Sequence, residues 1–331
     1  MRKSYLTQRT TPTAMKIYLN DVQNDVINAI QARTTVLVAG RGFGKGVVHA
    51  AWNLRNMQRM KGSTTGVVSA NIKRALTNTL PSMLLHWEKW GFKRNVHWCI
   101  GMKPLKQWHF DVPLFPVQNY ENVLSLYNGS IAYIISQART GTSNSQSYDA
   151  LDVDEAKFID FEQFKDETLP AMRGNRQYFG KHFYHQSMLI SSDMPVTKKG
   201  GWFLDYDKKC DPDLIAMIRS MAYEIYHVKQ RIAEFYRKGV EPPEYICRML
   251  RQMSRNLCQF RFSAVDYREV SSIDNLQVLG EAYIRQLKRD LPPLTFQTSV
   301  LCKRIGIAKD GFYNKMTEAH KYSAPNISAY D

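Results

Sequence analysis

The chain has 331 residues, and 45 Lys and Arg against 30 Asp and Glu give it a net charge of +15. At 44% hydrophobic and 12% aromatic it is too apolar for a disordered chain, and its length favours one large α/β domain with a smaller lobe. Five scattered cysteines without a C-x-x-C pair argue against a zinc site or disulfide framework, and the positive surplus favours a polyanion, nucleic acid before an anionic membrane.

No apolar run approaches the ~18 residues of a membrane span. The N-terminus, "MRKSYLTQRTTPTAMK", is basic without the apolar stretch of a signal peptide. A soluble, intracellular protein in a reducing compartment is therefore expected, with no membrane partner.

In chain order, "LNDVQNDVINAI" spaces Val22, Val26, Ile27 and Ile30 at helical intervals, with Asn20 as N-cap. "TTVLVA" (Thr34 to Ala39) reads as a buried strand, and Lys45 to Met60 as a helix. Between them lies "GRGFGKG". A phosphate-binding loop requires Gly, four residues, Gly-Lys, then Ser or Thr, between a strand and a helix. The setting is right, but Ala39 replaces the first Gly and Gly46 the Ser or Thr.

"TTGVVSA" (Thr64 to Ala70) is a second strand, followed by a helical stretch through Leu85. "VLSLYNGSIAYIIS" (Val123 to Ser136) reads as a hairpin about Asn128-Gly129. "ARTGTSNSQS" (Ala138 to Ser147) reads as a polar loop. "YDALDVDEA" (Tyr148 to Ala156) and "SMLISSDMP" (Ser187 to Pro195) are further strands, and Lys198-Lys199 beside Gly200-Gly201 reads as a mobile loop. Strands alternating with helices imply a largely parallel sheet covered on both faces.

Beyond about residue 210 the pattern turns helical, with two helices about Pro242-Pro243 and another over "DNLQVLGEAYIRQLKRDLPP". The expected organisation is a phosphate-loop ATPase core over 1–210 and a mostly helical lobe over 211–331. Arg248, Arg251 and Arg255, spaced by three and four, share a helix face and are the candidate DNA contacts.

A glycine-rich loop at a helix N-terminus presents backbone N–H groups to phosphate, and Lys45 adds a cation. Gly40, Arg41, Gly42, Phe43, Gly44, Lys45 and Gly46 are thus candidate ATP-binding residues. The acidic strand end, about a hundred residues on, supplies Asp154 for Mg²⁺ and Glu155 as general base. Ser191 and Ser192 are candidates for sensing the γ phosphate and coupling its loss to movement.

Taken together, these segments resemble the ATPase portion of the large terminase subunit of tailed phages, the motor that packages DNA into a procapsid. "AGRGFGKG" is similar to that family's divergent phosphate loop, in which the first Gly is often absent. The resemblance implies that Arg41 is a catalytic arginine acting on the γ phosphate and that Gln23 recognises adenine. "SQSYDALDVDEAKFI" and "LISSDMPVTKKGGWF" are similar to its acidic and coupling motifs, and the likeness extends over roughly residues 16 to 302. It further implies ATP and Mg²⁺ as cofactors, double-stranded DNA, a portal protein and a small terminase subunit as partners, a homo-oligomeric ring on the procapsid, and location in the host-cell cytoplasm.

Two departures stand out. Gly46 removes the hydroxyl that normally holds Mg²⁺, so Gly46→Ser or Gly46→Thr is expected to lower the magnesium requirement; the alternative is that backbone or a neighbouring side chain occupies that space and substitution damages the loop. The family also carries a C-terminal nuclease with clustered acids, and this sequence stops at "NISAYD", about where that domain would begin, so nuclease activity is not expected of it. The alternatives are a helicase-like DNA-dependent ATPase, less favoured because second-motor-domain motifs are missing after residue 210, and a nucleotide-binding structural protein with little turnover.

Overall fold

The computed structural model describes residues 18–137 and 146–305. The basic N-terminal segment, most of the polar loop after Gln137 and the "NISAYD" end lie outside the described residues.

Eight strands form one sheet in the order β3-β4-β5-β2-β6-β7-β1-β8. They are β1 (Thr34–Ala39), β2 (Thr64–Ser69), β3 (Trp98–Ile100), β4 (Val123–Leu126), β5 (Ile131–Ser136), β6 (Ala150–Val153), β7 (Ser187–Ser192) and β8 (Val265–Val270). From β5 through β8 every neighbouring pair is parallel, while β3-β4 and β4-β5 are antiparallel. The Asn128-Gly129 hairpin forms as expected: Gly129 takes a positive φ of 82°, where a side chain would be strained, and its N–H bonds Leu126 O.

Successive strand residues point to opposite faces. Val36, Val38, Leu151, Val153, Met188 and Ile190 enter one core layer, where Phe164, Trp202 and Phe203 cover them. Leu37, Ala39, Ala150 and Leu189 enter the other, beneath Val48 and Trp52 of α2 (Lys45–Arg59). Asp152 and Asp154 share the parity of Ala150, and Ser191 that of Leu189, so all three reach the α2 side.

The helix expected from residue 20 begins as α1 (Asp21–Asn24) and continues as a π-helix over Asp25–Ile30. Asn20 caps it, and Gln23 returns the bond in a capping box. After β2 a helical run passes through a π segment (Ala75–Thr79) into α3 (Leu80–Lys89). Leu80, Met83 and Trp87 of α3 pack on Ala50, Leu54 and Met57 of α2, and Trp87 Nε1 donates to Ala50 O at 2.8 Å.

The Lys198-Lys199 segment is not a loop. Lys199–Lys209 forms a 3₁₀ helix because Trp202 and Phe203 are buried, and Gly200 has no room for a Cβ, which would lie 2.9 Å from Lys157 O. The two helices about Pro242-Pro243 are α4 (Pro212–Arg237) and α5 (Glu244–Ser263). Ile215, Ile218, Ile225 and Leu257 hold the base of this helical hairpin against Ile30 and Ala32. β8 follows, on the far side of the expected boundary near residue 210, and hydrogen-bonds along β1, so the sheet draws on both sides of that boundary. The helix expected over Asp274 to Pro293 is divided at Gly280 (φ 76°) into Leu276–Leu279 and α6 (Glu281–Asp290), and α7 (Pro293–Ser299) follows.

Candidate nucleotide site

In open parallel sheets ligands bind beyond the carboxyl ends of the strands. The ends of β1, β7 and β6 lie side by side, and each leads into a candidate segment. Gly40 to Gly44 turns from β1 into α2, with positive φ at Gly42 (83°) and Gly44 (92°). A Cβ at Gly40 would lie 2.4 Å from Val300 O, and one at Gly44 would lie 2.5 Å from Gln23 Nε2. These glycines serve close approach as well as dihedral freedom.

Much of what holds the loop comes from the far end of the chain. Gly40 N–H bonds Val270 O (2.9 Å), Arg41 N–H bonds Ser299 O (2.7 Å), Ser272 Oγ donates to Arg41 O (2.6 Å) and Asn275 Nδ2 to Gly42 O (2.9 Å). Gln23 is buried, and its Nε2 donates to Phe43 O at 2.9 Å while its Oε1 accepts from Asn20 N–H at 3.1 Å. The structure thus brings Gln23 to the loop as a brace. Phe43 is wholly buried, Arg41 is exposed, and Lys45 Nζ donates to Ala39 O at 2.9 Å.

At the end of β6, Asp154 accepts from Ser191 Oγ (2.9 Å) and Thr79 Oγ1 (2.5 Å). His49, one turn beyond Lys45 on α2, lies between the carboxylates. Its Nδ1 is 2.6 Å from Asp152 Oδ1, and its Nε2 is 2.7 Å from Ser191 Oγ and 3.4 Å from Asp154 Oδ1. Burial opposes charge on His49, but Asp152 and Asp154 outweigh it and raise its pKa to about 10. The imidazolium donates to Asp152 and Ser191, and the Ser191 hydroxyl donates to Asp154. Burial likewise opposes ionisation of Asp154, yet His49, Thr79 and Ser191 hold it well below the usual carboxylate range.

Glu155 has left-handed backbone (φ 54°), rare outside glycine, which turns it out of the strand line. Burial and the neighbouring Asp154 raise its pKa, with Lys45 acting against them, so the loop lysine and this carboxyl share one field. Ser192, opposite in parity to Ser191, faces the other layer and accepts from Lys157 N–H at 3.2 Å. The two serines therefore do different things: Ser191 touches the acidic site, and Ser192 fixes the turn after Glu155.

Asp154 and the Thr79 and Ser191 hydroxyls beside it are hard oxygen donors of the kind Mg²⁺ takes together with phosphate and water, and the His49 imidazolium 3.4 Å from Asp154 is a neighbouring cation that contributes no donor. Among the described residues no group of three or more His, Cys, Asp and Glu is placed to hold a metal ion. Arg248, Arg251 and Arg255 lie on the exposed side of α5, away from this site in sequence and element, with Arg251 paired to Glu244 and Arg255 bonded to Gln252. Sequence reasoning missed His49 and Thr79. The His49 signal was its i+4 spacing from Lys45; Thr79 carries none.

Among solved structures, the large terminase of a thermophilic bacteriophage, in a complex with ADP, matches 86% of this chain at TM-score 0.52 and 10% identity. A second crystal form of the same terminase matches at 0.53 and 10% identity, again over 86% of this chain. This is the fold of phage large-terminase ATPase domains. The Thermus phage P74-26 large terminase ATPase domain matches 90% of this chain and all of its own at TM-score 0.49 and 13% identity. The chain spans 53% of the length of the ADP-bound large terminase. No family model matches it, and no curated protein does. Among the described residues of this terminase-ATPase fold no helix is long and apolar enough to cross a membrane.

Proposed function

We propose that the chain is the ATP-hydrolysing motor portion of a DNA-packaging terminase. The observation that carries this reading is that α2, which opens on the Gly40–Gly46 loop, meets the β6 acids through His49 and Ser191, with Lys45 and Glu155 sharing one field. Lys45 and the N–H groups at the start of α2 would bind the triphosphate, and Asp154 with neighbouring hydroxyls would hold Mg²⁺, which when bound supplies positive charge to the phosphates. Glu155, its basicity raised, orients and deprotonates the attacking water. Arg41, exposed at the loop, supplies positive charge to the transferring phosphoryl group. Ser191, bonded to Asp154, would pass a change there to β7.

The partners in this reading are double-stranded DNA, gripped by backbone phosphates with Arg248, Arg251 and Arg255 contributing, a portal protein, a small terminase subunit and further copies in a ring within the host cytoplasm. A helicase-like ATPase and a nucleotide-binding structural protein are the competing readings, and turnover with and without DNA separates them. Lys45→Ala is the direct test: ATP affinity by calorimetry and phosphate release should both collapse, and unchanged values in a folded variant would remove the assignment.

A further inference from the structure

Gly46 stands where a phosphate loop ordinarily carries Ser or Thr. A Cβ built on Gly46 would lie 2.1 Å from Ser82 Oγ and 3.3 Å from Ser82 Cβ. The space of the missing side chain is therefore filled by a hydroxyl from another helix.

α3 is fixed there. Trp87 bonds Ala50 O, and Leu80 and Met83 are buried against α2, so Ser82 is set opposite the first turn of α2. One turn earlier on the same helical run, Thr79 donates to Asp154. Residues three apart share a helix face, so the face that carries Ser82 also reaches the Asp154 carboxylate. Ser82 is only partly buried.

Resting on the nucleotide-site reading above, we infer that Ser82 is the hydroxyl ligand for the divalent cation, supplied by α3 in place of the side chain that Gly46 lacks. A serine or threonine has moved off the loop, and the glycine makes room for its replacement. The expectation that Gly46→Ser would ease the magnesium requirement is thereby corrected: the new Cβ would meet the Ser82 hydroxyl and turn it out of its place.

The test measures binding of fluorescent ADP against Mg²⁺ concentration, with Mn²⁺ as a spectroscopic probe of the bound cation. Binding in EDTA and thermal melting report folding. Ser82→Ala should raise the Mg²⁺ midpoint by about 10- to 100-fold, the loss typical even of groups one step from a metal, while binding in EDTA is retained. Gly46→Ser alone should melt early, and Gly46→Ser with Ser82→Ala should recover both melting and midpoint. Ser82→Cys should bind weakly with Mg²⁺ and recover with Cd²⁺, a change of preference that steric packing alone does not produce. An unchanged midpoint in Ser82→Ala, with wild-type binding Mg-dependent, overturns the Ser82 role and leaves the nucleotide site standing. Wild-type protein that binds ADP with no response to Mg²⁺ overturns both.

Discussion

Glu155 is held in left-handed backbone by its surroundings: its N–H bonds Asp154 Oδ1 at 2.9 Å, and Ala156 and Ile159 beyond it are buried. That turn takes Glu155 out of the strand line, and in the proposed mechanism the two adjacent acids do different work. Glu155→Gln preserves shape and removes the base. It should keep ATP affinity and lose about 10²- to 10⁴-fold in turnover; a loss under about threefold in single-turnover measurement excludes the role. At this scale the loop and the Asp-Glu pair were legible because motif spacing is local. Thr79 and Ser82 were not, since a threonine or serine in a helix has no pattern until the neighbouring element is placed.

Between elements, α2 is tied to the sheet through buried polar side chains. His49 and Asn53 both bond Asp152, which is fully buried, and Asn56 donates to Ser187 at 3.0 Å. His49→Leu removes the cation from a buried pair and should cost about 3–5 kcal/mol of stability by chemical denaturation. The sign with pH follows from the raised pKa of about 10. In metal-free buffer the His49 contribution should be full below about pH 6.5, the ordinary imidazole value, and fade as pH rises toward the folded value. A gap between wild-type and variant that is constant from neutral to alkaline pH would contradict this. The strands β1, β2, β6 and β7 were readable as β-branched or apolar runs. β8 was not, because "VDYREV" mixes charges into a strand: Asp266 is buried only by pairing with Arg268 at 2.9 Å, and this hides the period. Gly280 likewise splits a helix whose apolar spacing reads as continuous.

For the whole molecule the net charge of +15 is the property that bears on its partner. A motor that moves along DNA must hold phosphates without reading bases, and each phosphate neutralised releases counterions. DNA affinity should be insensitive to sequence and fall at least about tenfold between roughly 50 and 200 mM salt. A flat response by fluorescence anisotropy would remove the polyanion argument. The charge sign was plain in the composition, but where DNA would run was not, because a basic helix face such as that of Arg248, Arg251 and Arg255 reads the same whether solvated or bound.

The position of β1 in the sheet has a consequence for how the chain comes to be folded. β1 carries the loop, yet its neighbours are β7 and β8, and the loop's outer braces are Ser272, Asn275 and Ser299. Of the described strands the first made is thus the last completed: "TTVLVA" emerges early and waits for partners that begin at Ser187 and Val265. Such distant pairing slows folding, because loop closure must precede the contacts that reward it. An apolar strand with both edges open is meanwhile a template for pairing with other chains. During synthesis the nascent chain therefore remains vulnerable to aggregation until its distal third is out of the ribosome.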